Sequence, residues 1–229
     1  MAAAVLEARG VSRRFMVRGG GQTVEAVRNM SVSVRPGEMV IVAGPSGSGK
    51  TTLLHLLAAI DSPTSGEIFI EGTEVSRLSR GERAELRLRR LGLVFSDHNL
   101  SPALTVAENV DLPLALRGLP SAERALRVKA TLNHLGIDGL ASRFPDALSS
   151  GEQQRVAVAR AVAGDPAVLV ADEPTAHLDS DGTEALLGLL EELVAQRRMA
   201  AVIASHDLRM IKPAGRVIRL KDGAVEENG

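Results

Sequence analysis

The run Gly44-Pro45-Ser46-Gly47-Ser48-Gly49-Lys50-Thr51 constrains this chain more than any other stretch of it. It fits G-x-x-x-x-G-K-[ST] in full. A compact apolar run, Glu38 to Val42, precedes it, and Lys50 to Ile60 follows with Leu53, Leu54, Leu56 and Leu57 at helical spacing. Glycines admit backbone angles closed to other residues, so successive N–H groups can point inward around a phosphate. The helix behind them adds free amides and the positive end of its dipole. Lys50 can reach the β- and γ-phosphates and the Thr51 hydroxyl can ligate Mg²⁺, with Thr52 counted in the same binding set. A flexible glycine turn before a core helix would not need Lys and Thr at these positions. The arrangement reads strand, loop, helix, and it implies a nucleoside-triphosphate site in an α/β protein.

The rest of the chain is consistent with one such domain. With 229 residues, 45% hydrophobic, it can fill a sizeable core, and a net charge of −1 favours collapse over disorder. Lys plus Arg at 27 against Asp plus Glu at 28 lacks the basic excess of a general nucleic-acid binder. No cysteine is present, which removes disulfides, thiolate metal sites and a Cys nucleophile. The opening residues lack a basic leader and no apolar run approaches a membrane span, so a cytoplasmic protein is expected.

Ala4 to Ala8, Thr23 to Val27 and Met30 to Val34 are short β-prone segments, with a turn at Gly19-Gly20-Gly21 between the first two. Glu67 to Gly72 reads as a strand and Leu78 to Leu91 as a charged helix. Helical patterns then occupy Leu104 to Arg117, Ser121 to Leu135 and Gln153 to Ala163. Buried-strand runs return at Val168 to Ala171 and Ala200 to Ala204, with a helix from Thr183 to Gln196 between them. Arg216 to Leu220 and Ala224 to Glu226 read as a terminal hairpin. The expected fold is an α/β P-loop NTPase core with a mixed sheet, an N-terminal antiparallel β region and an inserted α-helical subdomain. It forms a single domain over 1–229, with 1–91 and 164–229 as the core and 92–163 as the insert.

A Mg²⁺–triphosphate site needs a carboxylate, and hydrolysis needs a group to orient or deprotonate water. The run Val168-Leu169-Val170-Ala171 ends in Asp172-Glu173. Ligands of a doubly wound sheet bind at the C-terminal ends of its strands, where the phosphate loop also lies. Asp172 would hold Mg²⁺ and Glu173 would polarise the attacking water. Alone, Asp172-Glu173-Pro174 would serve equally as a polar turn. Ala200 to Ala204 ends in Ser205-His206-Asp207, and a neutral His206 there could meet a γ-phosphate or the water. A polar loop histidine is the competing reading.

Together with Leu148-Ser149-Ser150-Gly151-Glu152, these residues resemble the ATP-binding subunits of ABC transporters. The order matches over essentially the whole chain: Walker A at 44–51, signature at 148–152, Walker B at 168–173, the D-loop Ala176-His177-Leu178-Asp179 and a switch histidine at 206. Ser149, Ser150 and Gly151 head a helix, so its amides and hydroxyls form an anion site, and a capping role for the serines is compatible with that. The site lies in the insert, away from its own phosphate loop. The resemblance implies a head-to-tail dimer that sandwiches two ATP between phosphate loop and partner signature. It also implies an aromatic residue stacking on adenine, and Phe15 occupies the place where the family commonly has Tyr. Packing in the core is the alternative for Phe15.

Within the family, Leu78 to Arg83, Leu91 to Phe95 and Leu104 to Val110 look most like the small LolD/MacB-type ATPases, to which the cell-division ATPase FtsE is related. That group implies ATP and Mg²⁺ as ligands, separate integral membrane permease subunits as partners, and a cytoplasmic place on the inner face of the membrane. A soluble P-loop kinase or other NTPase would lack the signature. Six arginines between Arg77 and Arg90 are interleaved with Glu82 and Glu85 and read as a solvated helix face, not a nucleic-acid patch. The chain departs from the family at its Q-loop, usually Val-Phe-Gln, which is Val94-Phe95-Ser96 here. Ser96 is too short to replace the glutamine at the metal directly. Lys50, Thr51, Asp172, Glu173 and His206 are all present, so an active ATPase is expected.

Overall fold

A computed structural model describes residues 3–16, 23–211 and 215–226. The Gly19-Gly20-Gly21 run expected between the first two strands lies outside the described residues. Two sheets organise the chain. The first is antiparallel and four-stranded, built from β1 (Leu6–Met16), β2 (Thr23–Val34), β4 (Ser65–Ile70) and β5 (Thr73–Glu74) in the order β2-β1-β4-β5. The two segments expected at 23–27 and 30–34 are one strand. Their apparent break is Asn29, left-handed at φ 44°, where the ladder with β1 shifts register but does not end.

The second sheet has six strands in the order β10-β9-β3-β8-β7-β6. Its members are β3 (Met39–Ala43), β6 (Leu91–Val94), β7 (Val168–Asp172), β8 (Ala200–Ala204), β9 (Arg216–Lys221) and β10 (Ala224–Val225). All neighbours are parallel except the β9–β10 hairpin, whose turn residues Asp222 and Gly223 both have positive φ. The unbroken apolar runs of the central strands follow from burial on both faces. Val40, Val42, Val168, Val170 and Val202 join one core, beneath the antiparallel sheet and α1 (Lys50–Leu57). Ile41, Leu169, Ala171, Ala201 and Ile203 alternate with them and join the other.

The second core is closed by helices α3 (Val106–Leu116), α4 (Ser121–His134), α5 (Ser150–Val162), α6 (Ser180–Arg197) and the short α7 (Leu208–Ile211). Helix α2 (Arg80–Arg90) precedes β6 and buries no residue fully, as its charge pattern requires. Three helices open on the same reciprocal cap, Ser79 with Glu82, Thr105 with Glu108 and Ser149 with Glu152.

One boundary needs correction. The insert was expected to begin at 92, but Leu91 to Val94 pair with Val168 to Ala171 as the edge of the large sheet, so residues 92–94 lie in the core. Gly92 lets α5 pack on that edge: a Cβ there would stand 2.6 Å from the Ala161 carbonyl oxygen and 3.1 Å from Pro166 Cγ. Gly92→Ala should therefore cost about 1–3 kcal/mol of stability by overpacking, measured by denaturant unfolding, and a variant as stable as the parent would contradict the contact.

Candidate functional site

The loop Gly44–Gly49 leaves the C-terminal end of β3, between β8 and β9, and turns directly into α1. Its conformation is one that glycine alone enters easily. Gly49, which caps α1, is left-handed at φ 101°, and a Cβ there would overlap the Ala26 carbonyl oxygen of β2. Lys50 is 8% exposed, and its Nζ donates to the Gly44 and Pro45 carbonyl oxygens at 2.8 and 3.2 Å. The ammonium is thereby kept inside the curl of the loop. The Ser48 hydroxyl is buried there without a hydrogen-bond partner among the described residues.

Strands β7 and β8 bring the acidic and imidazole groups to the same end of the sheet. Glu173 follows β7 in a left-handed conformation, φ 47°, fixed by its N–H donating to the Ala204 carbonyl at 3.0 Å. A non-glycine residue held there is strained, and such strain concentrates at functional positions. One carboxylate oxygen, Oε2, is 2.9 Å from His206 Nδ1; the other, Oε1, is 3.5 Å from Lys50 Nζ. The sequence-separated 50, 173 and 206 thus form one contiguous chain of polar contacts. Pro45, Ser46, Gly47, Gly49, Lys50, Thr51, Thr52, Glu173 and His206 line a cleft of about 550 Å³.

Asp172 ends β7 beside Thr51. Burial pushes its carboxyl above the usual range; the Glu173 charge adds to this, while the Thr51 hydroxyl, His55 and Lys50 oppose it. Its Oδ1 is buried without a hydrogen-bond partner among the described residues. A buried carboxylate oxygen next to a hydroxyl is a hard-oxygen donor pair, which suits Mg²⁺, an ion that takes one or two protein ligands and completes its shell with water and phosphate. Among the described residues no cluster of three His, Asp or Glu side chains offers a larger metal cage.

Other expected site residues do not line this cleft. Ser149 caps α5, its hydroxyl donating to Glu152 Oε2 at 2.9 Å and accepting the Glu152 N–H; Leu148, Ser150, Gly151 and Glu152 lie with it. Asp179 caps α6 by accepting the Gly182 N–H at 2.8 Å. Ser96 sits in the loop after β6, where Arg160 of α5 donates to the His98 and Asn99 carbonyl oxygens. Phe15 is 40% exposed near the end of β1, with the Arg13 guanidinium 4.6 Å above its ring. Conversely, Ala26 lines the cleft and was missed. No pattern marks an alanine in a β2 segment as a wall of a phosphate site; only its contact with Gly49 does.

The family model described as ABC transporter matches residues 27–176. An uncharacterised ABC transporter ATP-binding protein of Thermotoga maritima is 44% identical over 207 residues, covering 90% of this chain and 88% of that one. Among solved structures, the dimeric bacterial ABC transporter cassette MJ0796 is 35% identical with a TM-score of 0.89, covering 97% of each chain. The same cassette is also similar as a dimer in a post-hydrolysis state bound to ADP and Pi. CbiO1 of Clostridium perfringens, part of the ABC transporter complex cbiONQ, is 29% identical with a TM-score of 0.87, covering 99% of this chain and 88% of that one.

Proposed function

This chain belongs to the ABC transporter family as an ATP-binding cassette, and from that premise we propose that it is the ATP-hydrolysing subunit of a transporter whose membrane part is a separate permease. Two copies close head-to-tail on two ATP. The observation that carries the catalytic reading is the convergence of Lys50, Glu173 and His206 on one cleft at the C-terminal ends of three adjacent strands.

Those contacts support the following roles. Loop amides from Gly44 to Gly49 and the Lys50 ammonium bind the triphosphate. Glu173 accepts a proton from water as the water oxygen attacks the γ-phosphorus and the bond to the bridging β–γ oxygen breaks, releasing ADP and phosphate. His206 fixes the carboxylate through Oε2. Thr51 and Asp172 would hold Mg²⁺, which would supply neutralisation of charge on the phosphates. The signature residues Leu148 to Glu152 lie outside this cleft, which supports their acting on the γ-phosphate of a partner copy.

The resemblance in the 78–83, 91–95 and 104–110 segments favours a permease of the lipoprotein, peptide or drug export or mechanotransmission type, with an FtsE-like division role as the second reading. The chain sits on the cytoplasmic face, held there by its permease; among the described residues no helix is long and apolar enough to cross a membrane. The test is the dependence of specific ATPase activity on protein concentration. Activity per chain should rise with concentration and then saturate, and Ser149→Arg should suppress it. Constant activity per chain on dilution to nanomolar would overturn the shared-site reading, and indifference to Ser149→Arg would favour a soluble P-loop kinase or NTPase.

A further inference from the structure

The Arg13–Phe15 pair carries an inference that rests on Phe15 being the base-stacking residue and goes beyond it. We infer that Arg13 is a positioning residue for the nucleotide base: it covers one face of the Phe15 ring and leaves the opposite face as a pre-set platform.

Three observations support it. The Arg13 guanidinium carbon lies 4.6 Å from the ring centroid, within cation–π range. The guanidinium is itself anchored, since Nε is 2.8 Å from Asp61 Oδ2, a charge contact in which the N–H is not aligned on the carboxylate. Asp61 follows α1 and its N–H donates to the His55 carbonyl of that helix at 3.1 Å. The same helix begins with Lys50 and Thr51, so one rigid element references both the ring and the phosphate loop. Two further bonds, Thr64 N–H to the Ser12 carbonyl at 2.7 Å and Arg14 N–H to Thr64 Oγ1 at 3.1 Å, tie β1 to that segment.

Register places the platform beside the cleft, outside its lining. Phe15 pairs with Val24 and Arg13 with Val27, so Ala26, the β2 residue that lines the cleft and abuts Gly49, lies between their partners. An exposed phenyl ring free to rotate would lose entropy on stacking; one held by a planar cation has already lost it. Arg14, by contrast, pairs with Glu25 at 3.1 Å and takes no part.

The test compares ATP with inorganic tripolyphosphate, which offers the phosphates without a base. In the full chain, Phe15→Ala should raise KM for ATP about tenfold, the loss expected for one base–aromatic stack. Arg13→Ala should raise it about threefold, with Arg13→Lys intermediate and Asp61→Asn about twofold. Inhibition of ATP hydrolysis by tripolyphosphate should keep the same Ki in all four, which also reports that each variant is folded, and Arg14→Ala should match the parent. The inference falls if Arg13→Ala leaves KM unchanged, if it weakens tripolyphosphate in parallel, or if Phe15→Ala is silent. Failure of tripolyphosphate to compete in the parent chain would overturn the phosphate-loop reading, and this inference with it.

Discussion

Glu173→Gln should lower kcat for ATP hydrolysis by about 10²- to 10⁴-fold, the range removed with a general base, while leaving ATP bound. The substitution keeps the side chain's size and removes its proton affinity. It also leaves the strained backbone alone: φ at 173 is 47° and the N–H bond to Ala204 is a main-chain contact, so Gln bears the same conformational cost as Glu. Glu173 Oε1 is the carboxylate oxygen nearest the Lys50 ammonium, at 3.5 Å. Removing that negative charge frees Lys50 for a polyanionic ligand, so KM should not rise. Binding without turnover should then accumulate the closed dimer, visible as a doubled mass by light scattering with Mg·ATP. A variant hydrolysing within twofold of the parent would mean that another group activates the water.

The legible parts of the fold were those where the pattern is imposed by burial on both sides. Val168 to Ala171 and Ala200 to Ala204 could be read as central strands because alternate residues go to opposite cores, and no polar residue is tolerated on either face. The strand at Leu91 to Val94 escaped because it has four residues, one of them glycine, and lies between a charged helix and a turn. Its partner strand is more than seventy residues away in sequence, and Gly92 makes sense only once α5 is seen against it. Helix starts expected at Leu78, Leu104 and Gln153 fall instead at Arg80, Val106 and Ser150, each after a Ser or Thr with Glu three residues on, a capping signal that hydrophobic spacing alone does not use.

The site divided in the same way. Lys50, Glu173 and His206 were legible together because each follows a run that must be a parallel strand, and parallel strands present their C-terminal ends to one side. Ala26 and the Arg13–Phe15–Asp61 chain were not, since they depend on strand register and on where α1 ends. The His206–Glu173 contact at 2.9 Å was also beyond reach from spacing alone.

The opposite-signed response of stability and activity is expected at Asp172. Its carboxyl is raised, chiefly by burial. A group whose folded pKa exceeds its unfolded value contributes most to stability below the unfolded pKa, and that contribution is lost as pH rises through the folded one. Above its folded pKa the metal-free chain therefore bears the cost of the buried charge, with Oδ1 given no hydrogen-bond partner among the described residues. Asp172→Asn removes that charge while keeping the shape. The metal-free variant should be more stable by on the order of 1 kcal/mol, raising Tm by about 2–4 °C, and the gain should shrink as pH is lowered into the range where the parent's carboxyl is protonated. Hydrolysis should fall by about 10²- to 10³-fold if Asp172 is, as proposed, the charge that holds the cation beside Thr51. The two states also separate by linkage: Mg²⁺ with ADP should raise the parent's Tm and move the variant's far less. A variant that is destabilised at neutral pH, or that keeps both its Mg²⁺ response and its turnover, would show that Asp172 is a paired structural carboxylate and that the cation is held elsewhere.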